Sequence, residues 1–339
     1  MALTLLIILN TLLVAGAVLG RGISKFICKR LLIGELSLLI ISIIIFGATQ
    51  LLPSDVAQAV LGRDATPERL AILREQWGLD RPITTQYLDW LGGIIRGDPG
   101  KSFVTNVQIT SYLSDRVVNS LFLLLLATSI SVPLSLMIGG MTARRRDSVV
   151  DGVTTNTMLV LASLPEFVVG LTLVIVFSTG LWNWLPAVVQ LDAEARPWTE
   201  MKQMILPTIT LVAGAVPYIS RVTRISLIEV LESDYVEMAR LKGAPERTVL
   251  WRHALPNALG PVLQVIALNV AYFAAGVIVV EFLFNYPGIG GAMRAGVRAN
   301  DVQVVQFLAM ILAGVYVVTN LLADVGTILV TPRLRTRVE

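Results

Sequence analysis

Six apolar stretches constrain this chain more than any other feature, because each can be read as a helix that crosses a lipid bilayer. A helical span needs about 20 apolar residues. Lipid offers no partner for backbone N–H and C=O groups, so such stretches must form helices with internal hydrogen bonds. One of them, 205–219, is short and is expected to extend into its flanks. The stretches are Leu31–Leu52, Leu121–Met141, Val153–Phe177, Ile205–Ile219, Leu259–Val280 and Val304–Val330.

Composition agrees with a multi-pass all-α membrane protein. Hydrophobic residues make up 55% of the 339 residues, and the mean hydropathy is +0.73, values that a soluble domain does not reach. One Cys (Cys28) cannot form an intramolecular disulfide, and one His (His253) without a Cys cluster gives no metal site. The net charge of +3 requires no nucleic-acid partner.

The distribution of Lys and Arg predicts how the chain is oriented in the membrane. Sixteen of them lie in the short segments 21–30, 142–152, 220–258 and 331–339. The short segments on the other side, 178–204 and 281–303, hold four. Short cytoplasmic loops carry the excess of positive charge. We therefore expect segment 220–258 and the C-terminus in the cytoplasm and the longer segment 53–120 outside.

The spans and the gaps between them divide the chain into four parts. Residues 1–20 are a further apolar segment, predicted either as an extra helix or as an upstream extension that adds little. Residues 21–52 hold the first core span, 53–120 a small external region, and 121–335 the remaining helical core. In the external region, Thr66-Pro67-Glu68 predicts a helix start, and Tyr87, Trp90 and Ile94 indicate a second amphipathic helix.

A polar segment, residues 234–256, interrupts the apolar pattern between two spans. Asp234 is expected to cap a short helix together with Glu237, and Gly243 to end it. Tyr235, Val236 and Ala239 fall on one face of that helix. Pro245 is placed to open a second helix. Such a compact element on a membrane protein is typical of a docking site.

Acidic residues within or beside the spans are the candidates for a transport path. Charged groups in lipid are costly and therefore suggest function. Glu166 follows Pro165, where a kink would aim its carboxylate at a cavity. Glu281 and Pro217 are further candidates for the path, although Glu281 could instead pair with local polar groups. Glu35 could also pair locally, and Asp324, with Asn320, could hold helices together; the four acids are Glu35, Glu166, Glu281 and Asp324.

Three functions are compatible with these features: a subunit of an ATP-driven importer, a stand-alone ion-coupled carrier, and a membrane-embedded enzyme. Gly100-Lys101-Ser102 is similar to the end of a phosphate-binding loop, but Ile95 stands where that pattern needs Gly. If ATP drives the protein, another subunit must therefore bind it. A docking element favours the importer over the carrier, and the enzyme lacks a nucleophile–base pair.

The polar segment resembles the EAA motif of ATP-binding-cassette (ABC) importer permeases. Glu237-Met238-Ala239, Gly243 and His253-Ala254-Leu255-Pro256 keep the spacing of that motif, with Met238 and His253 as departures. The His-Ala-Leu run is similar to the dipeptide/oligopeptide/nickel permease branch. Other stretches that resemble this branch are Arg81-Pro82, Gly97-Asp98, Ser102-Phe103, Ser163–Phe167, Trp184–Pro186, Arg221–Arg224, Val280–Gly290 and Asp324 through Arg335.

The resemblance implies a type I ABC importer transmembrane domain with six core helices, set in a bacterial inner membrane. It also implies a second homologous permease subunit, two ABC ATPase subunits and an external (periplasmic) solute-binding protein. ATP and Mg would then be bound by the ATPases, and this chain, which is in contact with membrane lipid, would bind no cofactor and catalyse no reaction itself. The expected cargo is a dipeptide, an oligopeptide, a nickel chelate or a sugar derivative.

In that family the EAA segment is the coupling helix that seats in a groove of an ATPase. The residues that the resemblance assigns to this contact are Asp234, Tyr235, Val236, Glu237, Ala239, Lys242, Gly243 and Pro256.

Overall fold

The chain folds into a bundle of helices, seen here in a computed structural model. The model describes residues 11, 13–18, 22–51, 56–62, 65–180, 182–191 and 196–330. Within these ranges the structure is helical apart from turns and one isolated antiparallel bridge between Lys101 and Gln108. Most of the apolar segment 1–20 and the C-terminal stretch 331–335 lie outside the described residues.

The helices are numbered in chain order. They are α1 (Gly22–Gln50), α2 (Val56–Leu61), α3 (Pro67–Trp77), α4 (Ile83–Arg96), α5 (Ile109–Arg144), α6 (Val149–Ser163), α7 (Glu166–Val174), α8 (Met201–Leu231), α9 (Asp234–Leu241), α10 (Glu246–Thr248), α11 (Leu255–Leu283), α12 (Ile289–Arg298) and α13 (Val302–Val330). Two π-helical segments, Ile175–Thr179 and Val249–Ala254, extend α7 and join α10 to α11.

Five helices in the described residues are long and apolar enough to cross a membrane, and the pair α6–α7 makes a sixth if it counts as one span. The expectation that 205–219 extends into its flanks is confirmed, because α8 runs from Met201 to Leu231. The span predicted over 153–177 is present as two helices with a break at Pro165, where a kink was expected. Helices α6 and α7 meet at an angle of 100°, since Pro165 cannot continue the helix and holds the residue before it in an extended conformation.

Several expected polar gaps are helical in the structure. Helix α5 begins at Ile109, well before the expected start at 121, and α8 continues through 220–231. The N-terminal part of α5 carries polar residues that contact other elements; Asn119, for example, donates to the carbonyl of Pro287. Polar residues at these helix ends therefore serve helix–helix contacts, which a hydropathy pattern alone does not distinguish from loops.

Close packing of α5, α8 and α11 forms the core that positions the remaining elements. Leu123, Leu211 and Phe273, one from each helix, are fully buried together. Gly139 allows α5 to approach α8 closely, since a Cβ atom there would lie 2.7 Å from the carbonyl oxygen of Ser220. Helices α13 and α1 pack in turn against this core. The bent pair α6–α7 and the short helix α9 pack against α8, one of these core helices.

The two predicted helices in segment 53–120 are present. Thr66 caps α3 by accepting a hydrogen bond from the N–H of Arg69, and Trp90 of α4 is buried. Tyr87 lies within hydrogen-bond distance of Ser42 of α1, at 2.9 Å. Ser102 donates to the carboxylate of Asp301 at the start of α13. This segment thus packs against α1 and the start of α13, while the side of the membrane on which it lies stays a prediction.

Candidate functional site

The polar segment forms a short helix that begins one residue earlier than expected. Ser233, and not Asp234, occupies the N-cap position, and its carbonyl accepts from the N–H groups of Val236 and Glu237. The Ser233 hydroxyl donates to the carbonyl of Val230 and so makes no cap. The predicted capping box is therefore wrong. Asp234 and Glu237 lie in the first turn of α9, where negative charge is favourable to the helix dipole.

Gly243 ends this element, as predicted. Its φ of 82° lies in the left-handed region, and its N–H donates to the carbonyl of Arg240 at 2.9 Å. A Cβ atom added at Gly243 would meet nothing within 4 Å. The backbone conformation, rather than lack of space, therefore requires glycine here.

The second helix of the polar segment differs from the prediction. Pro245 is the N-cap residue and not the first helical residue, and α10 spans only Glu246–Thr248 before the chain continues through the π-helical turn into α11. Pro256 lies half-buried in the first turn of α11. The short helix α9 is thus attached directly, through one turn, to a long membrane helix.

Arg240 braces α9 against both of its neighbours. Its Nε donates to Glu246 at 2.9 Å, and its Nη1 donates to the carbonyl of Leu231 at 3.3 Å. These bonds link the end of α9 to the last residue of α8 and to the start of α10. A movement of α9 would therefore be transmitted to the membrane helices through these hydrogen bonds as well as through the covalent backbone.

The face of α9 predicted to be apolar points inward. Val236 is buried, and Tyr235 and Ala239 are half-buried. The opposite face carries Asp234, Glu237 and Lys242, and the side chain of Leu241 is 75% exposed. The resemblance assigned eight residues to the ATPase contact. Of these, Val236 is buried under the helix, whereas Asp234, Glu237 and Lys242 face outward.

Glu166, the main candidate for the path, stands at the break between α6 and α7. Its carboxylate packs against two glycines of neighbouring helices. A Cβ atom on Gly214 of α8 would lie 2.9 Å from Oε1, and one on Gly276 of α11 would lie 2.7 Å from Oε2. Within the described residues the buried Oε1 has no hydrogen-bond partner. Pro165, beside it, is exposed at the bend.

The other two path candidates are more enclosed. Pro217 is buried within α8, where it borders a cavity of about 310 Å³. Glu281 is only 1% exposed. It accepts from the hydroxyl of Ser120 and, at 2.6 Å, from the N–H of Gly290. These bonds join α11 to α5 and α12, which confirms the pairing of Glu281 with local polar groups, while its place on the path stays a prediction.

Two further acidic residues make helix-to-helix ion pairs. Asp324 of α13 lies 3.1 Å from Arg30 of α1, which confirms its expected role between helices, whereas Asn320 bonds within its own helix. Asp151 of α6 receives two hydrogen bonds from Arg224 of α8, at 2.7 and 2.6 Å. The sequence analysis did not predict this second pair. Its only sign in the sequence is that Asp151 lies in the basic segment 142–152.

The described residues contain no group of three or more His, Cys, Asp or Glu that could hold a metal ion.

Comparison with known proteins assigns the chain to a family. Residues 132–336 match the family described as binding-protein-dependent transport system inner membrane component. Residues 23–132 match the family described as the N-terminal part of the binding-protein-dependent transport system membrane component. The polar segment and the Glu166 region both fall within the larger match.

Relatives cover nearly the full length of the chain. A probable peptide ABC transporter permease of Sinorhizobium fredii is 34% identical over 91% of this chain and 99% of its own length. A putative peptide transport system permease of Brucella abortus and a glutathione transport system permease of Salmonella choleraesuis are each 32% identical, over 92% of this chain and 99% of their own lengths.

Neither the family nor these relatives support a stand-alone carrier. The chain belongs to the family of binding-protein-dependent transport system inner membrane components, the permease subunits of ABC importers.

Proposed function

We propose that this chain forms half of the translocation path of an importer for peptides or related small solutes. The relatives named as peptide and glutathione permeases support this class of cargo. A second, homologous permease completes the path, two ABC ATPases drive it, and an external binding protein delivers the cargo. In this arrangement α9 and the C-terminus lie in the cytoplasm, and segment 53–120 faces outside.

The observation that carries the proposal is the construction of α9 as a braced, outward-facing helix. Its polar outer face and the exposed Leu241 offer a contact surface for a soluble partner. The bonds of Arg240 hold that surface to α8 and α10. Closure of the ATPases on ATP binding would move α9 and, with it, the membrane helices, which is a rigid-body change between two states.

On this proposal Asp234, Glu237, Lys242 and Gly243 form the ATPase contact, and Val236 supports it from within. Tyr235 and Ala239 lie at the margin of the contact. Pro256 fixes the start of the membrane helix behind the contact. Within the membrane, Pro165, Glu166 and Pro217 belong to the path.

Substitution of Gly243 tests the coupling role. Gly243→Val places a β-branched residue at a φ of 82°, a conformation such residues rarely adopt, whereas Gly243→Asn keeps a residue that tolerates it. We expect both variants to insert and assemble with the ATPases. In proteoliposomes with the binding protein and a dipeptide, Gly243→Val should lose most ATP-driven uptake and Gly243→Asn should retain most of it. Full uptake by Gly243→Val would argue against the coupling role.

A further inference from the structure

We propose that five residues form a binding site for a positively charged group, and that its occupant is the ammonium group of cargo in transit. The residues are Glu166, Gly214, Tyr218, Tyr272 and Gly276, called here the Glu166 site. The inference rests on the proposed function, since it assumes that this surface faces the path. Beyond the proposed function, it specifies that the path binds cargo through a positively charged ammonium group.

The carboxylate of Glu166 supplies an uncompensated negative charge. No Lys or Arg forms an ion pair with it in the described part of the chain, and its buried Oε1 has no hydrogen-bond partner there. Glu166 is also the first residue of α7. An unpaired carboxylate at a partly buried position can accept a cationic ligand.

Two glycines leave the space that the carboxylate of Glu166 occupies. Gly214 and Gly276 belong to different helices, and a Cβ atom on either would lie within 3 Å of a carboxylate oxygen. Every larger residue would push the side chain of Glu166 away from both helices. The site is therefore shaped around the carboxylate, and it is more than an acid that happens to lie in a membrane helix.

Two tyrosines lie on the same helices as the two glycines. Tyr218 follows Gly214 by four residues in α8, and Tyr272 precedes Gly276 by four residues in α11, so each tyrosine shares a helix face with its glycine. Their side chains are 51% and 53% exposed. Tyr272 also lies within electrostatic reach of Glu166 and of Tyr218. Aromatic faces attract ammonium groups, so the tyrosines add to the preference for a cation.

The surroundings exclude an anion at this level of the path. Tyr218 also borders the cavity of about 310 Å³, which continues along α8 to Arg221. Arg221 stands seven residues from Gly214, about 10 Å along the helix at the usual rise. The positive charge is thus separated from the carboxylate by about two helical turns, and an anionic group would be attracted to that end and repelled at Glu166.

Charge-selective labelling of cysteines tests the site directly. In the assembled transporter, Cys28→Ser removes the one native thiol, and Tyr272→Cys or Tyr218→Cys introduces a new one. Trimethylammonium and sulfonate forms of a methanethiosulfonate reagent are applied from both sides of the membrane. We expect the cationic reagent to be favoured about tenfold relative to a free thiol. Adding Glu166→Gln should abolish the preference, and Glu166→Asp should retain it.

A cysteine at Leu88, which is 65% exposed in α4, is the control, because its labelling ratio should not respond to residue 166. Labelling by both reagents with a ratio that Glu166→Gln leaves unchanged would overturn the cation site and leave the path assignment standing. Failure of both reagents to reach the thiols at 218 and 272 would overturn the path assignment in this region, and the cation site with it.

Discussion

Single glycines decide where the carboxylate of Glu166 can lie. In Gly276→Ala the new methyl group would stand 2.7 Å from Oε2. The atom it meets is the end of a flexible side chain, so the carboxylate should shift while the fold survives. We expect a several-fold fall in uptake with normal assembly and an unchanged elution profile. Gly47→Ala, where a Cβ atom meets nothing within 4 Å, is the matched control and should transport normally.

The ion pair between Asp151 and Arg224 is a second feature at this scale. The side chain of Asp151 is 6% exposed and that of Arg224 is 25% exposed, so breaking the pair should cost less than for a fully buried one. We expect a loss of about 1–2 kcal/mol, which lowers the apparent melting temperature of a chain of 339 residues by roughly 1–3 °C.

Melting of the purified protein in detergent should show this loss for Asp151→Asn and for Arg224→Gln. The double variant should lose less than the sum, since either change alone already breaks the pair. Additive losses would mean that the two residues stabilise the protein independently.

At the scale of elements, the bracing of α9 by Arg240 links docking to movement. Arg240→Ala removes the bonds to Glu246 and to the carbonyl of Leu231. Both lie near the surface, so we expect little effect on stability but a several-fold fall in uptake per ATP hydrolysed. Arg240→Lys should not restore it, because an ammonium lacks the planar fork of guanidinium.

Glu246→Gln supplies the control for this prediction, because it weakens one of the two bonds and should give an intermediate ratio of uptake to hydrolysis. An unchanged ratio in Arg240→Ala would show that the chain connection alone transmits the movement.

The same scale shows what a sequence can predict. Thr66 and Gly243 form hydrogen bonds to residues three or four positions away. The local sequence was therefore sufficient to predict the start of α3 and the end of α9. The break at Pro165 was indicated as a kink, but its angle of 100° depends on packing against α8 and α11. The Asp151–Arg224 pair joins residues 73 positions apart, and hydropathy contains no information about such pairing. For the same reason the partners of Glu281 on α5 and α12 could not be predicted.

For the whole molecule, apolar length and the EAA-like spacing were sufficient for the fold class and the family. The family match over residues 132–336 and relatives of nearly equal length agree with both. Orientation, the contact with the ATPases and the composition of the path concern surfaces that face lipid or other subunits. These features depend on the assembly and on the membrane, and not on packing within one chain.

The central claim is that α9 docks on an ATPase in the cytoplasm. A photo-crosslinking amino acid placed at Leu241, which is 75% exposed, tests it in intact membranes, with the same substitution at Leu88 of α4 as the matched control. We predict that position 241 crosslinks to a protein with an ATP-binding cassette and that position 88 does not. Crosslinking of the ATPase from position 88, or its absence from position 241 in a complex that still contains the ATPase, would contradict the account.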